Sequence, residues 1–141
     1  MTFLHSSLDD CLLVTLPKEH NRAGNLTALN SSKDLSFDIK RVYYTYDIPS
    51  GASRGGHAHK QLYQYVIAAC GSFDVLLDDG MSQKTVRLNR PDMALLIVPG
   101  IWRELQDFSS GAVCLVLASE LYQADDYLEE YEDFKTQKGC K

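Results

Sequence analysis

The chain has 141 residues, 45% apolar and 23% charged, which suits one compact domain over 1–141 with a core that needs neither disulfides nor metal. Its 14 Lys and Arg against 19 Asp and Glu give a net charge of −5, which excludes a protein that mainly coats nucleic acid or an anionic membrane. The acidity is uneven, because the segment from Asp125 to Phe134 holds six acidic residues and no basic one.

The stretch MTFLHSSLDDCLLVTL has no Lys or Arg ahead of its apolar residues and carries Asp9 and Asp10, so it does not read as a signal peptide. The longest apolar run, Met93 to Val98, is far too short to cross a membrane, and a cytoplasmic protein is expected. Cys11, Cys70, Cys114 and Cys140 form no CxxC pair. They read as reduced thiols, with Cys70 and Cys114 as small core residues.

In chain order, Leu12 to Leu16 and Leu26 to Leu29 are candidate strands joined by a polar loop. Ile39 to Asp47 is rich in aromatic and β-branched residues and ends in the loop-forming Pro49-Ser-Gly-Ala-Ser. Leu62 to Cys70 and Ser72 to Leu77 read as strands around Gly71, and Asp78-Asp79-Gly80 is a tight-turn signal leading to Thr85 to Leu88. The continuous apolar runs Met93 to Val98 and Ala112 to Ala118 predict central, buried strands. Tyr127, Tyr131 and Phe134 recur at helical spacing, which predicts a short helix over 123–135 with a solvated acidic face. Many short strands at even spacing define an all-β sandwich or barrel, with a jelly-roll core over 25–120 as the leading candidate.

The informative segment is Arg54-Gly-Gly-His-Ala-His-Lys60. In a strand, His57 and His59 point to one face with Cα atoms roughly 6.5–7 Å apart, so two imidazoles converge on one small object. Such a pair alone reads by default as two incidental histidines, and its surroundings reverse that reading. Gly51, five residues, His57-Ala-His59, four residues, Gln64, six residues and Gly71 form a pattern that resembles the first motif of the cupin superfamily. Val98-Pro-Gly-Ile-Trp-Arg103 resembles the second. The resemblance implies a cupin-type double-stranded β-helix, or jelly roll, in which metal-binding members carry Glu at the place of Gln64 and His at that of Arg103. An amide is a weak ligand and a guanidinium repels a divalent cation, so a metal-dependent oxygenase or hydrolase is disfavoured. A metal-free acid–base site around His57 and His59 is expected.

A closer resemblance runs over about residues 25–135. Ile39-Lys-Arg-Val-Tyr-Tyr, Arg54-Gly-x-His-Ala-His-Lys60, Asp78-Asp79-Gly80, Trp102-Arg-Glu, Asp107-Phe-Ser-Ser, Val116-Leu-Ala-Ser119 and Asp125-Asp-Tyr-Leu follow the order of the dTDP-4-keto-6-deoxyhexose 3,4-ketoisomerases. This resemblance implies an isomerase that moves the ketone of a dTDP-linked 4-keto-6-deoxy sugar to carbon 3 through an enediolate, ahead of a 3-aminotransferase and without metal or redox cofactor. It makes His57 the base, with His59 beside it as a proton shuttle or polariser. Arg41 and Tyr43 share one strand face and Tyr44 and Tyr46 the other, and the resemblance favours the first pair at the pocket, with Tyr43 as hydroxyl donor.

Gln64 is assigned to the substrate pocket, and Arg54 and Lys60 to the diphosphate if they are not plain surface charges. Trp102 either walls the sugar or packs. Arg103 leans toward a gluco product, although the chain departs from its relatives near Arg22-Ala-Gly-Asn25, which leaves the stereochemistry open. A homodimer with exchanged N-terminal strands is a further implication. The local cations Arg41, Arg54, Lys60 and Arg103 should make the pocket a positive exception on an acidic protein. Two other readings stand beside this one: a dTDP-sugar 3,5-epimerase, and a non-catalytic sugar-binding cupin.

Overall fold

The computed structural model describes residues 2–139. Two antiparallel sheets face each other. The first orders its strands β1 (Leu13–Thr15), β9 (Met93–Ile97), β6 (Gln64–Cys70), β11 (Val113–Ala118) and β4 (Arg41–Thr45). The second orders β12 (Tyr127–Leu128), β5 (Arg54–His59), β10 (Trp102–Gln106), β7 (Phe73–Asp78) and β8 (Gln83–Leu88). A separate hairpin pairs β2 (Glu19–Asn21) with β3 (Gly24–Leu26), and the chain ends in α1 (Tyr131–Gln137). This is the expected jelly roll with a short C-terminal helix.

The apolar runs become inner strands because neighbours on both edges satisfy their backbone groups. β9, β6 and β11 are inner strands of the first sheet. On β7, Phe73, Val75 and Leu77 point inward and are fully buried, and they pack in one core with Val66, Leu95 and Val116 from the facing sheet. Gly71 turns β6 into β7 at φ +69°, and a Cβ there would press on Ala112 and Ser109, so this tight turn needs glycine. A second cluster of Ala58, Trp102, Leu128 and Phe134 lies on the outer face of the second sheet, under α1.

Four expectations need correction. Leu26 to Leu29 is not a strand, since the pairing strand is Gly24–Leu26; every residue of that hairpin is exposed, so no apolar alternation marked it. Cys70 is exposed at the end of β6, where it pairs with Val113 and an irregularity shifts the register between Val113 and Cys114. The C-terminal helix starts at Tyr131, while Tyr127 is drawn into β12 by pairing with His59. The acidic run is not wholly solvated, for Asp126 turns inward, as described below. Cys11 and Cys114 are buried and free, and Cys140 lies outside the described residues. Among the described residues no helix is long and apolar enough to cross a membrane.

Candidate active site

β5 carries the histidines, and its pairing with β10 explains their setting. Arg103 lies opposite His57 and Leu105 opposite Arg54, so β5 holds one more residue than its partner between these pairs. Gly55, at φ +74°, absorbs that bulge. The extra residue moves Arg54 onto the inward face that it would miss by strict alternation. Arg54 and Gly55 then line an open cavity with Tyr43, Leu105, Phe108 and Cys114. A Cβ at Gly55 would stand 3.0 Å from Leu105 Cδ1 and 3.8 Å from His57 Cε1, so glycine also keeps the space beside His57 open.

The two imidazoles meet at their Nε2 atoms, 3.0 Å apart, with ring planes perpendicular. His59 is fully buried, and its Nδ1 lies 2.9 Å from Asp126 Oδ2. The Tyr127 ring packs 4.4 Å from the His59 ring centre and 5.1 Å from that of His57. A second network joins Arg103, Gln64 and Tyr43. Arg103 Nη1 donates to Gln64 Oε1 at 2.6 Å, and Gln64 Nε2 donates to the Tyr43 hydroxyl at 3.1 Å. Since that hydroxyl accepts from Gln64, its own proton remains free for donation elsewhere. Arg41 lies over the Tyr43 ring at 4.6 Å and reaches the Tyr127 hydroxyl at 3.4 Å.

Electrostatics follow from burial. His57 is pushed down to about 2 by burial, with the Arg103 charge and His59 adding to it. His59 falls to about 4 through burial, although its bond to Asp126 pulls the other way. Both rings are therefore neutral near pH 7 and able to accept a proton. Burial raises the Tyr43 hydroxyl, which stays a protonated donor. Burial lowers Arg103 to about 10, which leaves it cationic. Burial pushes the Asp126 carboxyl up, but hydrogen bonds from His59 and the Gln61 and Leu62 backbone outweigh that and hold it below the usual range.

These residues do not fit a divalent metal. The Gln64 oxygen is already bonded to a guanidinium, and the remaining imidazoles face that same buried cation. Arg103 Nε is a buried nitrogen with no hydrogen-bond partner among the described residues.

Of the residues expected at the site, His57, His59, Tyr43, Gln64, Arg103 and Arg41 come together, with Arg54 at the cavity wall. Trp102 does not join them. It neighbours Arg103 on a strand and so faces the opposite side, where it packs 5.4 Å from Tyr131 and 5.9 Å from Phe134. Lys60 is exposed past the end of β5, beside Asp125 and Asp126 on the outer surface. Asp126 and Tyr127 were absent from the sequence-based site. The Asp125-Asp-Tyr-Leu string was their one signal, and its meaning depends on the pairing of β12 with β5.

Fold and site together define a cupin-like protein with a neutral histidine pair, His59 buried and His57 half-buried, beside a buried guanidinium. Residues 9–139 match the FdtA family model, described as WxcM-like, C-terminal. A TDP-4-oxo-6-deoxy-alpha-D-glucose-3,4-oxoisomerase from Aneurinibacillus thermoaerophilus is 40% identical over 123 residues, 87% of this chain and 88% of that one. The crystal structure of a sugar 3,4-ketoisomerase from Thermoanaerobacterium thermosaccharolyticum in complex with TDP superposes with a TM-score of 0.92 at 37% identity, covering 94% of this chain and 97% of that one. A TDP-quinovose 3,4-ketoisomerase from Campylobacter jejuni does so with a TM-score of 0.87 at 42% identity, over 92% and 99% of the two chains. The chain belongs to this FdtA, WxcM-like family of sugar 3,4-ketoisomerases.

Proposed function

We propose that the protein converts dTDP-4-keto-6-deoxyglucose to a dTDP-3-keto-6-deoxyhexose. The observation that carries this reading is the neutral His57–His59 pair, His59 buried and His57 half-buried, beside a buried cation that has no carboxylate within hydrogen-bond reach among the described residues. The 4-ketone acidifies the hydrogen on carbon 3. His57 takes that proton, and the C–H electron pair becomes the carbon 3–carbon 4 double bond as the carbonyl pair moves onto oxygen. The resulting enediolate needs donors and positive charge around it, which the Tyr43 hydroxyl and Arg103 supply. Return of a proton to carbon 4, with transfer of the carbon 3 hydroxyl proton to the carbon 4 oxygen, leaves the ketone at carbon 3 and a hydroxyl at carbon 4, and no redox step is involved.

Arg54 at the cavity wall and Arg41 beside Tyr43 are the cations placed to meet the diphosphate. Arg103 at the place where relatives carry His or Arg leans toward a gluco product, and we assign that configuration at carbon 4. The 3-keto sugar is the kind of substrate a 3-aminotransferase consumes, and a cytoplasmic enzyme suits a nucleotide-sugar substrate. We also infer a homodimer formed through the N-terminal hairpin, whose residues are all exposed, with Leu26 at 58%.

Incubation with dTDP-4-keto-6-deoxyglucose in deuterated water tests the reading. The wild-type protein is expected to place deuterium at carbon 4. His57→Asn is expected to abolish this while still binding dTDP by calorimetry. Binding without exchange at any sugar carbon would instead support a non-catalytic cupin, and exchange at carbon 5 an epimerase.

A further inference from the structure

We propose that Asp126 is a positioning residue of the isomerase, which fixes the tautomer of His59 and thereby makes the two histidines a single acceptor for the carbon 3 proton. This rests on the ketoisomerase reading given above. Asp126 is anchored on three sides. Its backbone carbonyl accepts the Lys60 N–H at 2.9 Å, its Oδ1 accepts the Gln61 N–H at 2.7 Å, and its Oδ2 lies 2.9 Å from His59 Nδ1. Its side chain is 11% exposed.

A carboxylate in that setting only accepts, so the His59 proton sits on Nδ1 and its Nε2 presents a lone pair. That lone pair faces His57 Nε2 at 3.0 Å, a gap that holds one proton. When an imidazole nitrogen of His57 takes the carbon 3 proton, the positive charge can pass across that gap to His59. There it lies one hydrogen bond from a carboxylate. Without Asp126, the same charge would meet the cations Arg103 and Arg41, both of which oppose protonation of His59. The step is balanced: the carbon–hydrogen electron pair remains in the enediolate, and the proton taken onto the histidine pair exchanges with solvent through half-buried His57 before one proton is delivered to carbon 4.

The fold builds this arrangement deliberately, in that β12 pairs Tyr127 with His59, and the residue just before Tyr127 is then delivered to the ring edge. Asp125, its neighbour of equal charge, remains exposed and makes no such contact.

Two measurements on the full chain test the proposal. Long-range nitrogen–proton NMR of the wild-type imidazoles is expected to show His59 protonated at Nδ1, and a proton on Nε2 instead would overturn it. In Asp126→Asn, kcat is expected to fall by on the order of 10- to 1,000-fold with KM nearly unchanged, whereas Asp125→Asn should keep both constants. Unchanged kcat in Asp126→Asn, or a loss carried by KM alone, would contradict a positioning role. Failure of the wild-type protein to isomerise would instead remove the functional reading, and the tautomer measurement separates these two failures.

Discussion

Arg103 is fully enclosed, bonded to the Gln64 amide oxygen and the Ile101 carbonyl, and its charge acts on everything around it. Burial holds both histidines neutral, and the Arg103 charge adds to that depression; in the proposed reaction it also supplies positive charge to the enediolate. One consequence is a pH dependence of stability. The folded-state values of about 2 for His57 and about 4 for His59 lie below the ordinary 6.5, so between 6.5 and 4 the unfolded chain binds more protons and stability rises with pH. Moving from pH 7 to pH 5 should cost on the order of 2 kcal/mol per histidine, and His57→Asn should flatten that slope in urea denaturation. A stability unchanged between those pH values would mean that the rings are not held neutral. Motif spacing made His57, His59, Gln64 and Arg103 legible in the sequence. Strand alternation from Arg103 could also have turned Trp102 away from the pocket. Asp126 was illegible because its partner lies 67 residues away and its neighbours look like a solvated acidic face.

Among the elements, β5 shows how a local irregularity shapes chemistry. The bulge at Gly55 cannot be read from alternating hydrophobicity, yet it places Arg54 on the same face as His57. The two-residue β12 is equally silent in sequence, since only tertiary pairing with β5 separates it from the helical spacing of Tyr131 and Phe134. The long apolar runs of β9 and β11 were legible because burial on both faces leaves little room for polar residues. α1 is pinned by Phe134, which is fully buried against Trp102, Tyr131 and Phe3. Phe134→Ala should destabilise the fold by about 3–5 kcal/mol in denaturant titration. Turnover by the folded fraction should persist, because this cluster lies on the far side of the sheet from the cavity. A loss below about 1 kcal/mol would show that the helix is not held by this contact.

At the scale of the whole molecule, the net charge of −5 conceals a division. Arg41, Arg54 and Arg103 gather at the pocket, and most of the acidic C-terminal run faces outward, with Asp126 as the carboxylate that crosses to the site. For the proposed dimer, the exposed hairpin, the exposed Val42 and Tyr44 on edge strand β4 and Tyr46 just beyond it are the segments offered to a second copy. Sedimentation equilibrium should give twice the chain mass, and Leu26→Glu should shift it toward the monomer; a wild-type monomer would remove the dimer from the account. The central claim concerns the ketone itself. Carbon-13 NMR of dTDP-4-keto-6-deoxyglucose after incubation with the protein should show the carbonyl at carbon 3 and a hydroxyl-bearing carbon 4 in the gluco configuration. A product still ketonic at carbon 4, or substrate returned unchanged, would contradict it.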